Sequence, residues 1–170
     1  MEFCLTKTKW GWFGFVARDE QLIATFLPGS AAEIRRTIQS RFPEAVEKPN
    51  ALPDFRREIV EYFAGHATVF STEVDLSTKS PFHRRVLRAC ASIPYSKTLS
   101  YADLARAVGN PRAARAVGGV MAHNSCPIVI PCHRVLASGG GLGGFSSRGG
   151  LAEKERLLKL ERAAVDRAKL

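Results

Sequence analysis

Cysteine is scarce in this 170-residue chain. The four cysteines are Cys4, Cys90, Cys126 and Cys132, and no two of them form a C-x-x-C pair. Such a set is too small and too irregularly spaced for a disulfide framework, and it lacks the ligand pairs of a zinc site. We therefore expect no metal, and we ask instead which cysteine is reactive.

Long hydrophobic runs are also missing. No uninterrupted apolar stretch approaches the length of a membrane-spanning helix, and no basic-then-apolar leader opens the chain. We therefore expect a soluble intracellular protein without a membrane partner. Hydrophobic residues nevertheless make up 45% of the chain, which is enough for one domain or two small ones with real cores and excludes disordered and fibrous classes.

Acidic side chains are depleted after residue 80. Residues 1–80 carry 10 basic and 11 acidic side chains, whereas residues 81–170 carry 15 and five, for a net charge of +9 over the whole chain. A basic half of this kind is typical of a protein that binds nucleic acid. A merely solvated basic surface is the alternative.

The first 77 residues have the pattern of a small α/β domain. Residues 10–27 alternate as two strands around the polar turn 18–20, and Val69–Leu76 reads as a further strand. Capping and stop signals predict helices over residues 30–42 and 53–65. No catalytic constellation appears here. The predicted fold class is α/β (α+β), with an N-terminal α/β domain at 1–77 and a mainly helical domain at 78–170.

The second half begins with residues that typically start and end helices. Ser80 and Pro81 start a predicted helix that Pro94 ends, and Cys90 lies on its apolar stripe as a small core residue. Ser100 and Asp103 then form a capping box, and the next helix stops at Gly109.

Asn110 and Pro111 start another helix at once, so the sequence predicts a helix-turn-helix. One face of its second helix combines cations with tiny side chains, which lets a phosphate backbone approach closely. That face consists of Arg112, Arg115, Gly119 and Ala122. A helical hairpin that only packs remains the alternative.

Cys132 follows an apolar run, residues 127–131, that reads as a buried strand. Shelter raises the pKa of a thiol, so a base must lie nearby if Cys132 is a nucleophile, and His133 is the nearest candidate. Adjacent side chains point apart in a strand, so a water or a turn must connect the two. A purely structural Cys-His pair is the alternative.

Glu161 lies within the apolar stripe of a helix predicted over residues 151–169. A buried carboxylate needs a partner, and a histidine held by it beside a cysteine would give an orienter, a base and a nucleophile. Pairing of Glu161 with Arg162 or Lys159 is the alternative. The apolar neighbours one turn away are Leu157, Leu158, Ala164 and Val165.

Glycine is concentrated near the end of the chain, because seven of the 14 glycines lie between Ser138 and Gly150. The spacing is not that of a dinucleotide-binding turn. A flexible loop over the cysteine fits better, with Phe145 available to stack on a flat ligand and Ser146 to donate a hydrogen bond. A plain linker is the alternative.

Several strings together resemble the O6-alkylguanine-DNA alkyltransferases, which are DNA repair proteins. They are Pro-Phe-His-Arg-Arg-Val-Leu at 81–87, Ser-Tyr at 100–101, Gly-Asn-Pro-Arg-Ala-Ala-Arg-Ala-Val-Gly-Gly at 109–119, Asn124, Ile-Pro-Cys-His-Arg-Val at 130–135, Gly-Leu at 150–151 and Lys-Glu at 154–155. The match covers residues 80–161. It implies a ribonuclease H-like N-terminal domain and a winged-helix-like C-terminal domain.

The resemblance also implies roles for individual residues. Cys132 is the alkyl acceptor, His133 its water-linked base and Glu161 the carboxylate that orients the histidine. Tyr101 helps to rotate the nucleotide and assists the leaving guanine, and Asn124 holds the turn before the cysteine. The implied DNA-binding residues are Tyr101, Arg112, Ala114, Arg115, Gly118 and Gly119, with Arg115 filling the vacated stack. The implied pocket residues are Met121, Pro127, Val135, Phe145 and Ser146.

The implied partner is alkylated double-stranded DNA, bound in the minor groove by a monomer. The lesion, O6-methylguanine or O4-methylthymine, is flipped out of the duplex, and its alkyl group moves irreversibly to Cys132 without a cofactor. Two departures from the family pattern concern the glycine-rich loop, where Phe145 replaces a usual tyrosine and the segment is about two residues longer. The competing functions are a lesion-binding sensor that transfers nothing, a helix-turn-helix regulator and a Cys-His hydrolase.

Overall fold

The computed structural model of the protein describes residues 1–167. It divides into two compact units, Met1–Asp75 and a second unit that begins at Leu76. Within the described residues, no helix is both long and apolar enough to cross a membrane.

The first unit contains a four-stranded sheet in the order β3-β2-β1-β4. Its strands are β1 (Glu2–Thr8), β2 (Gly11–Arg18), β3 (Gln21–Gly29) and the short β4 (Val46–Glu47). The predicted hairpin is confirmed as the antiparallel pair β2 and β3. Strand β1 was not predicted, because its apolar residues Phe3, Cys4 and Leu5 are adjacent and do not alternate with polar ones. It lies inside the sheet, antiparallel to β2 and parallel to β4.

Two helices pack on this sheet, and both were predicted. Helix α1 (Ala31–Arg41) starts at Ser30, whose side chain accepts from the Glu33 backbone N–H, and helix α2 (Pro53–Ala64) ends at the left-handed Gly65. Alternate residues of β2 point to opposite faces, so Val16 packs with α1. On the other face, the Phe15 ring contacts Phe55 of α2 at a centroid distance of 5.1 Å.

The strand predicted over Val69–Leu76 is wrong. Val74 forms a single bridge to Leu22, and Val69 is 89% exposed. Pairing is confined to Leu22, which donates to the Glu73 carbonyl at 2.8 Å and accepts from the Asp75 backbone N–H at 2.9 Å, while the Ser71 backbone N–H donates to the Glu58 carboxylate, 3.2 Å away.

Gly14 of β2 provides a test of the packing between the sheet and α1. A Cβ atom at this buried position would overlap Cγ2 of Ile34 and lie 3.2 Å from Cδ1 of Ile38. We expect Gly14→Ala to destabilise the protein by about 1–3 kcal/mol in urea unfolding, because a methyl group is forced into a filled core. Gly29→Ala is the control, since its nearest neighbour would be Ile34 at 3.9 Å. Equal effects of the two variants would contradict this packing.

The second unit is mainly helical. Its elements are α3 (Pro81–Ala91), β5 (Leu99–Ser100), α4 (Tyr101–Ala107), α5 (Ala114–Ala122), a 3₁₀ turn (Cys132–Arg134), β6 (Val135–Leu136), a turn at Ser138–Gly140 and α6 (Gly150–Arg167). The predicted cap of α3 by Ser80 and the capping box of Ser100 and Asp103 are confirmed. The predicted end of α6 at Lys169 lies outside the described residues.

The helix-turn-helix forms with a longer turn than predicted. Helix α4 stops before Gly109, which adopts a left-handed φ of 76°, but α5 begins only at Ala114. The Ala113 backbone N–H donates to the Asn110 carbonyl, 3.0 Å away, and this turn delays the helix. Arg112 therefore lies exposed in the turn rather than on the helix.

Candidate active site

Cys132 begins a 3₁₀ turn and does not end a strand. Residues 127–131 are shaped by two prolines, which lack a backbone N–H, and by Ile128, whose φ is 79°. The one pairing within this segment is a bridge between Pro127 and Ile130. The strand predicted here is therefore wrong, although the expectation of a sheltered thiol holds, because Cys132 is only 7% exposed.

Asn124 closes the turn that leads to Cys132. Its Nδ2 donates to the Ile130 carbonyl at 2.8 Å, and its Oδ1 accepts from the Cys126 backbone N–H at 3.0 Å. A single side chain thus bridges both ends of the segment that the prolines leave without regular pairing. This geometry matches the turn-holding role predicted for Asn124.

His133 and Glu161 meet in the interior, as the apolar stripe of α6 suggested. Nε2 of His133 lies 2.7 Å from Oε1 of Glu161, and both side chains are fully buried. Of the two alternative partners predicted for Glu161, Lys159 contacts a different carboxylate. Lys159 instead pairs with Glu155 at 3.0 Å on the exposed side of α6.

Arg134 is a third member of this cluster that the sequence analysis missed. Its Nε lies 3.0 Å from Oε2 of Glu161 and its Nη2 2.9 Å from Oε1, while its Nη1 donates to the Ile93 carbonyl at 2.6 Å. The Ser96 backbone N–H also donates to Glu161, at 2.9 Å. The carboxylate is thus bound by groups from two parts of the unit, the 3₁₀ turn and the segment at Ser96.

These contacts set the protonation states of the pair. Burial raises the pKa of Glu161, but hydrogen bonds and charge from His133 and Arg134 outweigh it and bring the pKa to about 2. Burial lowers the pKa of His133, and the Glu161 carboxylate acts in the opposite direction. Near neutral pH the histidine is therefore a neutral, oriented group able to take up a proton.

A pocket of about 340 Å³ opens beside Cys132. Its lining comes from α4, α5, the 3₁₀ turn at Cys132 and the glycine-rich loop, and consists of Tyr101, Ala114, Arg115, Gly118, Met121, Ala122, Cys132, Gly144, Phe145 and Ser146. Among the predicted pocket residues, Met121, Phe145 and Ser146 belong to this lining.

Two predicted pocket residues lie elsewhere. The Val135 carbonyl accepts a hydrogen bond from Lys154 and its side chain is fully buried, while Pro127 belongs to the turn before the cysteine. Neither is part of the pocket lining. On the DNA-binding face predicted for α5, Arg115 and Gly119 are exposed, and Arg115 is also at the pocket.

The structure explains the glycines around Tyr101. A Cβ on Gly143, whose φ is 67°, would lie 2.9 Å from the Tyr101 ring, and one on Gly118 would lie 3.9 Å from it. The phenol oxygen is 3.5 Å from the Gly144 carbonyl, to which it donates. The glycine-rich segment is therefore a close-fitting wall of the pocket at this point and not a plain linker.

Cys132 needs help to ionise. Burial raises the pKa of its thiol, and a hydrogen bond from Asn124 and the charge of Lys154 oppose that effect.

Lys154 is the second residue that sequence reasoning missed. A signal was present, because Leu151, Leu157 and Leu158 lie one helical turn from it and place a lysine in the apolar stripe of α6.

Comparison with known proteins identifies the family. Residues 81–163 match the family described as "6-O-methylguanine DNA methyltransferase, DNA binding domain". The methylated-DNA–protein-cysteine methyltransferase of Mycolicibacterium paratuberculosis is 47% identical over 116 residues, which are 68% of each chain. This chain belongs to the methylated-DNA–protein-cysteine methyltransferase family.

Other members of the family agree over most of the chain. The constitutive methylated-DNA–protein-cysteine methyltransferase of Bacillus subtilis is 42% identical over 130 residues, or 75% of this chain and 74% of that one. The crystal structure of Mycobacterium tuberculosis OGT in complex with DNA superposes with a TM-score of 0.82 at 32% identity, covering 96% of this chain and 94% of that one. The predicted fold class, a sheet-containing first domain followed by a mainly helical one, is confirmed.

Proposed function

We propose that the protein repairs DNA directly, by moving the alkyl group of O6-methylguanine in duplex DNA to Cys132. The observation that carries this proposal is the position of Cys132. The thiol lies at a pocket whose other walls are α5 of the helix-turn-helix and the glycine-rich loop, and His133 and Glu161 follow it in the interior. Family relatives bear the name of this activity, and one of them was crystallised with DNA.

The reaction is a single displacement. His133 accepts the proton of Cys132 through a water molecule, and the sulfur forms a bond to the methyl carbon. The bond between that carbon and O6 breaks, its electron pair stays with guanine, and guanine takes up a proton. A thioether remains on Cys132. Because no group in the site cleaves a thioether, each molecule reacts once and needs no cofactor.

DNA recognition follows from α4 and α5. The basic second half of the chain supplies the electrostatic attraction, and a base must leave the duplex to reach Cys132. Tyr101 would rotate the nucleotide through its phosphate and assist the leaving guanine. Small residues let the minor groove approach α5. The DNA-binding face consists of Ala114, Arg115, Gly118 and Gly119 of α5, with Arg112 in the turn that precedes the helix. The same pocket would accept O4-methylthymine. A DNA repair role suggests that the protein works inside the cell, and we propose that it acts there as a monomer.

The decisive test is mass spectrometry of the intact protein and its peptides after incubation with duplex DNA containing O6-methylguanine. Unmodified duplex is the control. We expect one methyl group per protein molecule, located on the peptide that contains Cys132. Tight binding to the lesion without a gain in mass would instead identify a lesion sensor, and repeated turnover would identify a hydrolase.

Arg115 gives a prediction about base flipping. Its exposed side chain at the pocket would fill the gap that the flipped nucleotide leaves, which matters only in a duplex. We expect Arg115→Ala to slow transfer from duplex DNA by roughly tenfold or more, since one stacking contact contributes about 1–3 kcal/mol. Single-turnover rates on duplex and on the free base O6-methylguanine provide the measurement.

The free base should react at nearly the wild-type rate with Arg115→Ala. Arg162→Ala, which removes an exposed arginine of α6, controls for loss of charge and should leave both rates close to wild type. Equal losses on duplex and on free base would rule out the stacking role of Arg115.

A further inference from the structure

Lys154 of α6 is a fully buried lysine. Its Nζ donates to the Val135 carbonyl at 2.6 Å and to the Gly144 carbonyl at 3.3 Å. Neither acceptor carries a charge, and no carboxylate in residues 1–167 forms an ion pair with this ammonium. Burying an ammonium costs far more than burying an apolar chain of the same length. Packing alone therefore does not account for a lysine at this position.

The ammonium lies directly behind the pocket wall. It is 5.8 Å from the centroid of the Tyr101 ring, and both Tyr101 and its acceptor Gly144 line the pocket together with Cys132. Its other acceptor, Val135, closes the 3₁₀ turn at Cys132, because the Val135 backbone N–H donates to the Cys132 carbonyl. Lys154 is thus joined to the turn that holds the thiol and to the loop that covers it.

Few other positive charges are available to the thiol. The guanidinium of Arg134 is engaged by Glu161, and Arg115 is on the exposed rim of the pocket. The other titratable groups around Cys132 and Lys154 are neutral near pH 7 or paired: Cys90 of α3, Tyr101 of α4 and the pair of His133 and Glu161. Lys154 is therefore the buried cation with no anion of its own.

We propose that Lys154 is a positioning residue for alkyl transfer, whose ammonium compensates the negative charge of the Cys132 thiolate through the pocket wall. The proposal rests on the role of Cys132 as the alkyl acceptor. It assigns different tasks to His133 and Lys154. His133 takes the thiol proton, whereas Lys154 exchanges no proton and keeps its charge throughout. A positive charge near a thiol favours the thiolate over the thiol.

A supporting observation is the mutual influence of the two groups. The charge of Lys154 lowers the pKa of Cys132, and Cys132 in turn raises the pKa of Lys154, which burial otherwise lowers. Such coupling is reciprocal by thermodynamic necessity. Each group therefore reports on the other in an experiment.

The test measures thiol reactivity without DNA. The full-length protein is treated with iodoacetamide over a series of pH values, and the rate of modification at Cys132 is followed on its peptide by mass spectrometry. Lys154→Met keeps an unbranched side chain that is shorter by one atom, and it removes the charge. Lys159→Met is the matched control, because Lys159 is exposed on the same helix and pairs with Glu155.

We expect Lys154→Met to move the pH profile of Cys132 to higher pH, with a rate near neutral pH that is about tenfold lower, the equivalent of one pKa unit. The rate at high pH should be close to wild type, and Lys159→Met should follow the wild-type profile throughout. An unshifted profile in a folded Lys154→Met protein would overturn the proposal. A uniform rise in rate at every pH would also overturn it, because that result indicates only a loosened loop.

A second measurement covers the case in which Lys154→Met does not fold. The Lys154 amine is titrated by NMR of side-chain-labelled lysine in the wild type and in Cys132→Ser. We expect a lower pKa for Lys154 in Cys132→Ser, since the thiolate that favours the ammonium is gone. Identical titrations would overturn the proposal. Neither readout involves DNA, so a failure of the repair function and a failure of the Lys154 role are distinguishable.

Discussion

Replacing Cys132 by serine should abolish methyl transfer and leave binding to alkylated duplex DNA intact. A serine hydroxyl is far less acidic than a thiol, and neither His133 nor the charge of Lys154 makes its anion accessible near neutral pH. The substitution removes no DNA-binding group and fits the same space at the pocket wall. The measurements are the transfer of labelled methyl from O6-methylguanine duplex to protein and the dissociation constant for that duplex.

Cys126→Ala is the matched control for this experiment. Cys126 is a fully buried cysteine six residues earlier, outside the pocket lining, and its loss should leave stoichiometric transfer in place. Transfer by Cys132→Ser, or loss of transfer in a folded Cys126→Ala protein, would remove Cys132 from its role as acceptor.

Among the substitutions considered for stability, Glu161→Gln should cause the largest decrease in the free energy of unfolding. The variant leaves the buried Arg134 guanidinium without its anion, and breaking a buried ion pair on one side costs about 3–5 kcal/mol. An amide also offers His133 a donor or an acceptor but no charge, so the histidine becomes a poorer base. Denaturant unfolding near neutral pH gives the first effect and single-turnover transfer the second.

The acid dependence of stability separates the charge of Glu161 from its packing. The pKa of Glu161 is depressed from its ordinary 4.5 to about 2, so the carboxylate contributes stability that is fully present above pH 4.5 and is lost as the pH falls towards 2. The difference in unfolding free energy between wild type and Glu161→Gln should therefore shrink over that range. Glu155→Gln, exposed on the same helix, should change stability by less than about 1 kcal/mol at any pH. A constant difference between wild type and Glu161→Gln would argue for packing alone.

Local signals in the sequence predicted the elements whose determinants are local. The cap residues Ser30, Ser80 and Ser100 fixed three helix starts, because a capping side chain bonds a backbone N–H only three residues away. The apolar stripe around Glu161 likewise predicted a buried carboxylate. Its contact with His133 spans 28 residues of sequence and was expected from the family resemblance together with that stripe.

The errors arose where distant or unusual contacts decide the backbone. The apolar run at 127–131 looked like a strand, but its prolines and the two hydrogen bonds of Asn124 make it a turn. Arg134 was missed because the residues near it in sequence do not predict its contact with Glu161, which lies 27 residues later. Lys154 was missed although its position in an apolar stripe was readable, because a lysine there is usually attributed to a helix surface.

The burial of Cys132 affects how long the thiol stays unreacted before the protein binds a lesion. A molecule that reacts once is consumed by any electrophile that reaches its sulfur, whether or not DNA is involved. Because only 7% of the residue is exposed and burial raises the pKa of its thiol, we expect chance alkylation and oxidation in solution to be slow. Low accessibility should therefore preserve the unreacted thiol, so that loss of active protein reports repaired lesions more than unrelated electrophiles.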